Sequence, residues 1–165
     1  MAKKIGITGG IGTGKSFVSK IFKTLGVPFY DADYEAKAIM STDDSVRKAL
    51  TDAFGMETYC EDGSLNRKWL AAQVFNDEAR LKLLNSIVHP AVIAAGESWS
   101  RAQRGPYSLK EAALLFESGS YKSLDYTILV TAPLALRIAR VQKRDGITSA
   151  EVMQRINNQM PEEEK

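Results

Sequence analysis

The sequence predicts an α/β fold with a parallel core sheet, and three observations point to it. Short apolar strands alternate with helical stretches at both ends of the chain. A glycine-rich run, GITGGIGTGKS at Gly6–Ser16, lies between the first strand and the first helix. From Asp43 to about Arg104 the pattern is helical with almost no strand signal, so a helical block interrupts the sheet-forming sequence.

The first strand is KKIGIT, Lys3–Thr8. Phe17, Val18, Ile21, Phe22 and Leu25 then recur at helical spacing, and Gly26 stops that helix. VPFY is a second short strand, and DADYEAKAIM turns from loop into helix with Asp31 as its N-cap. In the helical block, DDSVRKALTDAF, NRKWLAAQVF, DEARLKLLNSIV and PAVIAAGESWSRAQ read as four helices. Asn66 caps the second, Pro90 suits the first turn of the fourth, and CEDGSL is a turn. YSLKEAALLF and DYTILVT read as strands, a basic helix follows from about Pro133 to Arg144, and Ser149 caps a last helix before a polar PEEEK end expected to fray. The expected organisation is a core of residues 1–40 and 105–132, a helical region 41–104, and a closing helical segment 133–160.

A chain of 165 residues with 44% hydrophobic and 25% charged residues suits one globular domain with a small insertion. The net charge of +2 is too small to make nucleic acid or a membrane surface the expected partner. Cys60 is the only cysteine, so no internal disulfide forms and a reducing compartment fits. MAKK is followed by glycines rather than an apolar run, and AALLF is far short of a membrane span, so the cytoplasm is the expected location.

The opening run satisfies G-x-x-x-x-G-K-[ST] at Gly9, Gly14, Lys15 and Ser16, in the strand-to-helix context the motif requires. Glycines let the backbone curl so that successive N–H groups, here from Gly10, Ile11, Gly12, Thr13 and Gly14, converge on phosphate oxygens. The following helix presents its positive end to the same anion. Lys15 is expected to reach the β- and γ-phosphates, and the Ser16 hydroxyl to ligate Mg²⁺. No N-K-x-D base-reading motif and no ABC-type signature accompany the loop, and the chain is too short for a motor. A small-molecule kinase remains.

A kinase must orient the acceptor hydroxyl and take its proton. YDAD follows the second strand, so Asp31 and Asp33 should emerge at the carboxyl edge of the sheet, where ligands bind. Asp33 is the candidate base. Asp31 either organises metal-bound water or only caps the helix. Arg137, Arg140 and Arg144 fall near one helical face with Arg155 on the next helix, as in a lid that covers the transferring phosphoryl. Arg137 is read as part of a solvated basic face.

Several segments together resemble the dephospho-CoA kinase family: GITGGIGTGKS, DAD at Asp31–Asp33, DGSLNRKWLAAQVF, HP at His89–Pro90, LLFE at Leu114–Glu117, and the series Arg140, Arg144, Arg155 with Gln159 closing the lid. These landmarks span nearly the whole chain in order. The resemblance implies a P-loop kinase of the nucleoside monophosphate kinase type: three layers, a parallel core sheet, a helical acceptor-binding insertion and a helical lid. It implies ATP-dependent phosphorylation of the ribose 3′-hydroxyl of dephospho-CoA, the last step of coenzyme A biosynthesis, with Mg²⁺. Carried over by position, Asp33 is the base, and Lys15, Arg140 and Arg144 handle phosphates, with Arg155 also on the ATP side. Thr8, Asp33, Arg67, His89 and Glu117 fall on the acceptor side. His89 is equally well read as a structural hydrogen-bonding residue, and Glu117, at the end of the third strand, as a capping carboxylate.

Two features depart from the family. Its Asp-x-Pro before LLFE is replaced by Glu111 and Ala113, which leaves Glu111 without an expected role. One more strand and helix, completing one side of the sheet and part of the adenine pocket, are expected beyond the lid and are not found in these 165 residues. A nucleoside monophosphate or shikimate kinase is the nearest alternative, disfavoured by the helical-block signature. An ATP-driven switch without an acceptor base is the alternative from another class, and Asp33 discriminates it.

Overall fold

The computed structural model describes residues 2–75 and 77–165. Within them the chain forms two compact units, one of residues up to Asp31 together with Trp99–Lys165, the other Ala32–Ser98.

The first unit is built on four parallel strands: β1 (Lys3–Thr8), β2 (Phe29–Asp31), β3 (Tyr107–Glu111) and β4 (Tyr126–Leu129), in the order β2-β3-β1-β4. Parallel pairing demands crossover connections, which the helices of this chain supply. β1 lies between β3 and β4 and carries the fully buried Ile7 and Thr8. Its neighbours add the buried Leu109, Leu115, Val141 and Val152 to the core. The register pairs Ile7 with Glu111 and Asp31 with Glu111, so three strands end level with one another. The glycine-rich loop starts directly beyond that line.

β3 is shorter than the apolar pattern suggests. It ends at Glu111, and residues 113–118 form a turn in which Ser118 N–H donates to Leu114 C=O. Leu115 is fully buried there. A short apolar run signals burial, not strand, and the distinction is invisible to periodicity. Glu117 therefore does not end a strand.

α1 (Lys15–Thr24) follows the loop, and its Phe17, Ile21 and Leu25 stripe is exposed. α6 (Leu134–Asp145) ends at Gly146 in the left-handed conformation, and α7 (Ser149–Asn157) begins with a capping box. The cap is Thr148, not Ser149: its Oγ1 accepts from Glu151 N–H at 3.3 Å, while Glu151 accepts from Thr148 N–H at 2.8 Å. The polar end does not fray. It turns at Pro161, and Lys165 Nζ sits 3.2 Å from Glu117.

The second unit holds α2 (Ala32–Thr42), α3 (Asp44–Phe54), α4 (Arg67–Val74) and most of α5 (Glu78–Ala102). Asp43 and Asn66 cap α3 and α4 through Val46 N–H and Trp69 N–H. Ala32, Val46, Leu50, Phe54, Leu70, Val88 and Val92 are buried apolar residues of this unit. Arg47 clasps the CEDGSL turn, donating to Ser41 C=O at 2.8 Å and Gly63 C=O at 2.9 Å while stacking on the Tyr59 ring. Pro90 does not start a helix but lies inside α5. It removes one backbone bond, yet the buried Val88 and Val92 on either side hold the helix through it.

Candidate active site

The loop between β1 and α1 is shaped by glycine. Gly12 and Gly14 have φ of +79° and +95°, which disfavours any side chain. A Cβ at Gly9 would stand 2.6 Å from Val130 C=O. Thr13 is buried, and its hydroxyl closes the curl on Gly10 C=O at 2.8 Å. Gly14 is the N-cap of α1, so no side chain caps the first helical turn. An anion can approach the positive end of the helix directly.

A cleft of about 340 Å³ opens over this loop. Gly9–Gly12, Gly14–Phe17, Ala113, Arg140, Val141, Arg144 and Gln159 line it. A second cleft of about 560 Å³, lined by Ser16, Lys20, Lys23, Asp31 and Glu111 among others, adjoins it at Ser16. Lys15, Ser16, Arg140 and Arg144 are thus brought together with the loop amides.

Glu111 joins them. One of its carboxylate oxygens, Oε1, lies 3.0 Å from Lys15 Nζ and accepts from Ser16 Oγ at 3.4 Å, and both charged side chains are nearly buried. Sequence reasoning gave this residue no role. The available signal was its place at the end of a strand that pairs in parallel with the loop-bearing one, which needs the register to be known.

Arg140 donates to Gly12 C=O at 3.3 Å and Thr13 C=O at 3.2 Å. Arg144 makes a two-point pair with Asp145 at 2.6 and 2.9 Å, and Arg155 reaches the same carboxylate at 3.0 Å. The hydrogen bond and charge of Arg144, then the Arg155 charge, hold Asp145 below the ordinary carboxylate range. Arg155 is half exposed and does not line the cleft. Arg137 is not a solvated basic residue. It is buried, donates from Nε to Ile11 C=O at 3.0 Å, and pairs with Glu162 at 2.8 Å.

The expected acceptor-side residues fall in both units. Thr8 is fully buried, its hydroxyl 3.4 Å from Ala113 C=O, so its side chain faces the core. Glu117 pairs with Lys165 at 3.2 Å and accepts from Met160 N–H at 3.4 Å, turned to the end of the chain rather than to the loop. Asp33, Arg67 and His89 belong to the second unit. Asp33 lies in the first turn of α2, two residues past the Asp31 that ends β2. Arg67 is exposed at the start of α4. His89 precedes Pro90 within α5, and burial pulls its pKa below the ordinary 6.5.

A curled glycine loop at the carboxyl end of a parallel strand, followed by lysine and serine on a helix, defines a P-loop protein, and arginines from a following helix pair give it the form of a small-molecule kinase. The dephospho-CoA kinase family model matches residues 3–165. A dephospho-CoA kinase of Salinibacter ruber (strain DSM 13855 / M31) is 45% identical over 163 residues, 97% of this chain and 82% of the relative. One of Bacteroides fragilis (strain YCH46) is 42% identical over 166 residues, covering all of this chain and 80% of the relative. A crystal structure of a Thermus thermophilus protein superimposes with a TM-score of 0.84 at 38% identity, over 99% of this chain and 83% of that one. The chain belongs to the dephospho-CoA kinase family and is a transferase.

Proposed function

We propose that this protein transfers the γ-phosphoryl group of ATP to the ribose 3′-hydroxyl of dephospho-CoA, giving coenzyme A and ADP. The ribose oxygen forms the new bond to phosphorus, the bond from phosphorus to the β,γ-bridging oxygen breaks, and ADP leaves with that electron pair. Asp33 takes the proton of the hydroxyl. The observation that carries the reading is the glycine loop with Lys15 and Ser16 beside it, in a chain of this family.

The Ile11 N–H is engaged by Gln159, so the remaining loop amides and Lys15 hold the phosphates, and Arg140 and Arg144, both lining the cleft, offset charge on the transferring group. Ser16 and Glu111 supply hard oxygen donors 3.4 Å apart, a set that fits Mg²⁺. Among the described residues no three His, Cys, Asp or Glu side chains cluster as a metal cage, and a Mg²⁺ held partly by substrate phosphates does not need one. When bound, that ion neutralises charge on the β- and γ-phosphates. Glu111 engages Lys15 and Ser16, which keeps an ammonium and a hydroxyl at the cleft. Asp33, Arg67 and His89 serve the acceptor. Arg155 acts through Asp145 on Arg144. Thr8 and Glu117 are left out, because their side chains are engaged elsewhere. No described helix is long and apolar enough to cross a membrane. A reaction that consumes ATP fits the cytoplasm.

The test is product analysis with ATP, Mg²⁺ and dephospho-CoA, with AMP, dCMP and shikimate as competing acceptors. Coenzyme A and ADP should form in equal amounts. Faster turnover of any other acceptor would overturn the assignment.

A further inference from the structure

Ile11 of the phosphate-binding loop is held at both of its main-chain polar atoms, one in each flanking peptide, by chain far away in sequence. Its C=O accepts from Arg137 Nε at 3.0 Å, and its N–H donates to Gln159 Oε1 at 2.9 Å. The same guanidinium donates through Nη1 to Glu162 Oε1 at 2.8 Å, with 8% of the Arg137 side chain exposed. So dry a cation needs a counter-charge, and Glu162 supplies it.

The approach of α6 to the loop is close. A Cβ at Gly10 would lie 2.5 Å from Arg137 Nη2, and one at Gly12 would lie 2.6 Å from Arg137 C=O. These two glycines therefore make room for α6 as well as for a phosphate. Arg137 does not line the cleft over the loop, so its engagement with Ile11 is not a by-product of a place on the cleft wall.

We infer that Arg137, Gln159 and Glu162 are positioning residues for the nucleotide, a brace that locks the two peptides flanking Ile11 in the orientation the cradle requires. With the Gly10–Ile11 peptide held through its N–H and the Ile11–Gly12 peptide through its C=O, the two planes that flank Ile11 resist rotation. The neighbouring loop amides are then ordered before the nucleotide arrives, and the ordering cost does not fall on binding. The brace also ties the loop to α6 and to the segment after α7, so the shape of the cradle depends on residues more than 120 positions downstream. The inference rests on the loop being the nucleotide site.

The experiment is calorimetric titration of the full chain with ATP and Mg²⁺, well below the melting temperature, together with KM values for both substrates. Gln159→Met keeps length and removes the strong acceptor for Ile11 N–H. Glu162→Gln removes the counter-charge without touching the loop. Each should weaken ATP binding, Gln159→Met by about fivefold, the effect of one lost hydrogen bond. The KM for dephospho-CoA should stay unchanged. Arg137→Gln should weaken ATP further, and adding Glu162→Gln to it should cost nothing more, because the two act as one unit. A merely structural role would lower the melting temperature and leave ATP affinity alone.

ATP affinities within twofold of wild type in both Gln159→Met and Glu162→Gln would overturn the brace, as would equal rises in the two KM values. These two variants decide the matter even if Arg137→Gln does not fold. Wild-type protein that bound no ATP would remove the nucleotide reading and the brace with it. Wild-type protein that bound ATP but phosphorylated no acceptor would remove the proposed reaction only, and the binding data would still decide the brace.

Discussion

Replacing Gly12 or Gly26 by alanine separates backbone strain from the close approach of α6. The two glycines have nearly the same backbone, φ +79° and +78°. They differ in what a new methyl would meet. At Gly26 there is nothing within 4 Å, whereas at Gly12 the Cβ falls 2.6 Å from Arg137 C=O and 2.9 Å from its Cα. Gly26→Ala should cost the left-handed penalty alone, about 1–2 kcal/mol. For a chain of this size that lowers Tm by roughly 2–8 °C. Gly12→Ala carries the same penalty plus a contact about 0.8 Å shorter than the 3.4 Å at which ordinary contact begins. The neighbour is helix backbone that cannot rotate away, so loop and α6 must separate, at a further 1–3 kcal/mol typical of overpacking. Thermal melts and ATP titration of both variants are the assay. Gly12→Ala should melt lower than Gly26→Ala and bind ATP at least tenfold more weakly, with Gly26→Ala binding like wild type. Equal melts and equal ATP affinities would refute the argument that α6 sets the shape of the loop.

Glu111→Gln should raise the Mg²⁺ concentration for half-maximal activity by about tenfold, as expected when a group supporting a metal site loses its charge; an unchanged Mg²⁺ requirement would remove Glu111 from the site. His89 is the only histidine, and burial lowers its folded pKa below 6.5. As pH falls through 6.5 the unfolded chain takes up the proton first, so stability present above that value is lost progressively down to the folded pKa. Wild-type Tm should therefore drop as pH falls through 6.5, and His89→Gln should flatten that slope; parallel slopes would contradict the burial argument. Thr148→Ala should destabilise by about 1 kcal/mol through loss of the capping box, while Ser149→Ala leaves Tm in place; the reverse order would move the cap to Ser149.

What could be read in advance was local. Gly14, Lys15 and Ser16 are so constrained by the strand–loop–helix context that the place of the loop was legible, though not the engagement of the Ile11 N–H by Gln159, and Asn66 announced its helix through ordinary capping chemistry. The parallel sheet followed from alternation alone. What was not legible depends on partners remote in sequence. The spacing of Arg137 with Arg140 and Arg144 fits a solvated face or a buried one equally well, and only the approach of Ile11, 126 residues away, decides it. Glu111 acquires its meaning from the pairing of Ile7 with Glu111, which no local pattern specifies. Pro90 is an ordinary helix starter by propensity, and tertiary burial of Val88 and Val92 overrides that. The apolar run after Glu111 showed burial without showing a turn.

The central claim is that the loop holds ATP while Asp33 draws the proton from an acceptor alcohol. Asp33→Asn, assayed for coenzyme A formation and titrated with ATP in parallel, tests it most directly. The variant should lose about a hundredfold or more of turnover, as for removal of a general base, and keep an ATP affinity within twofold of wild type. An Asp33→Asn protein that made coenzyme A at the wild-type rate would contradict it.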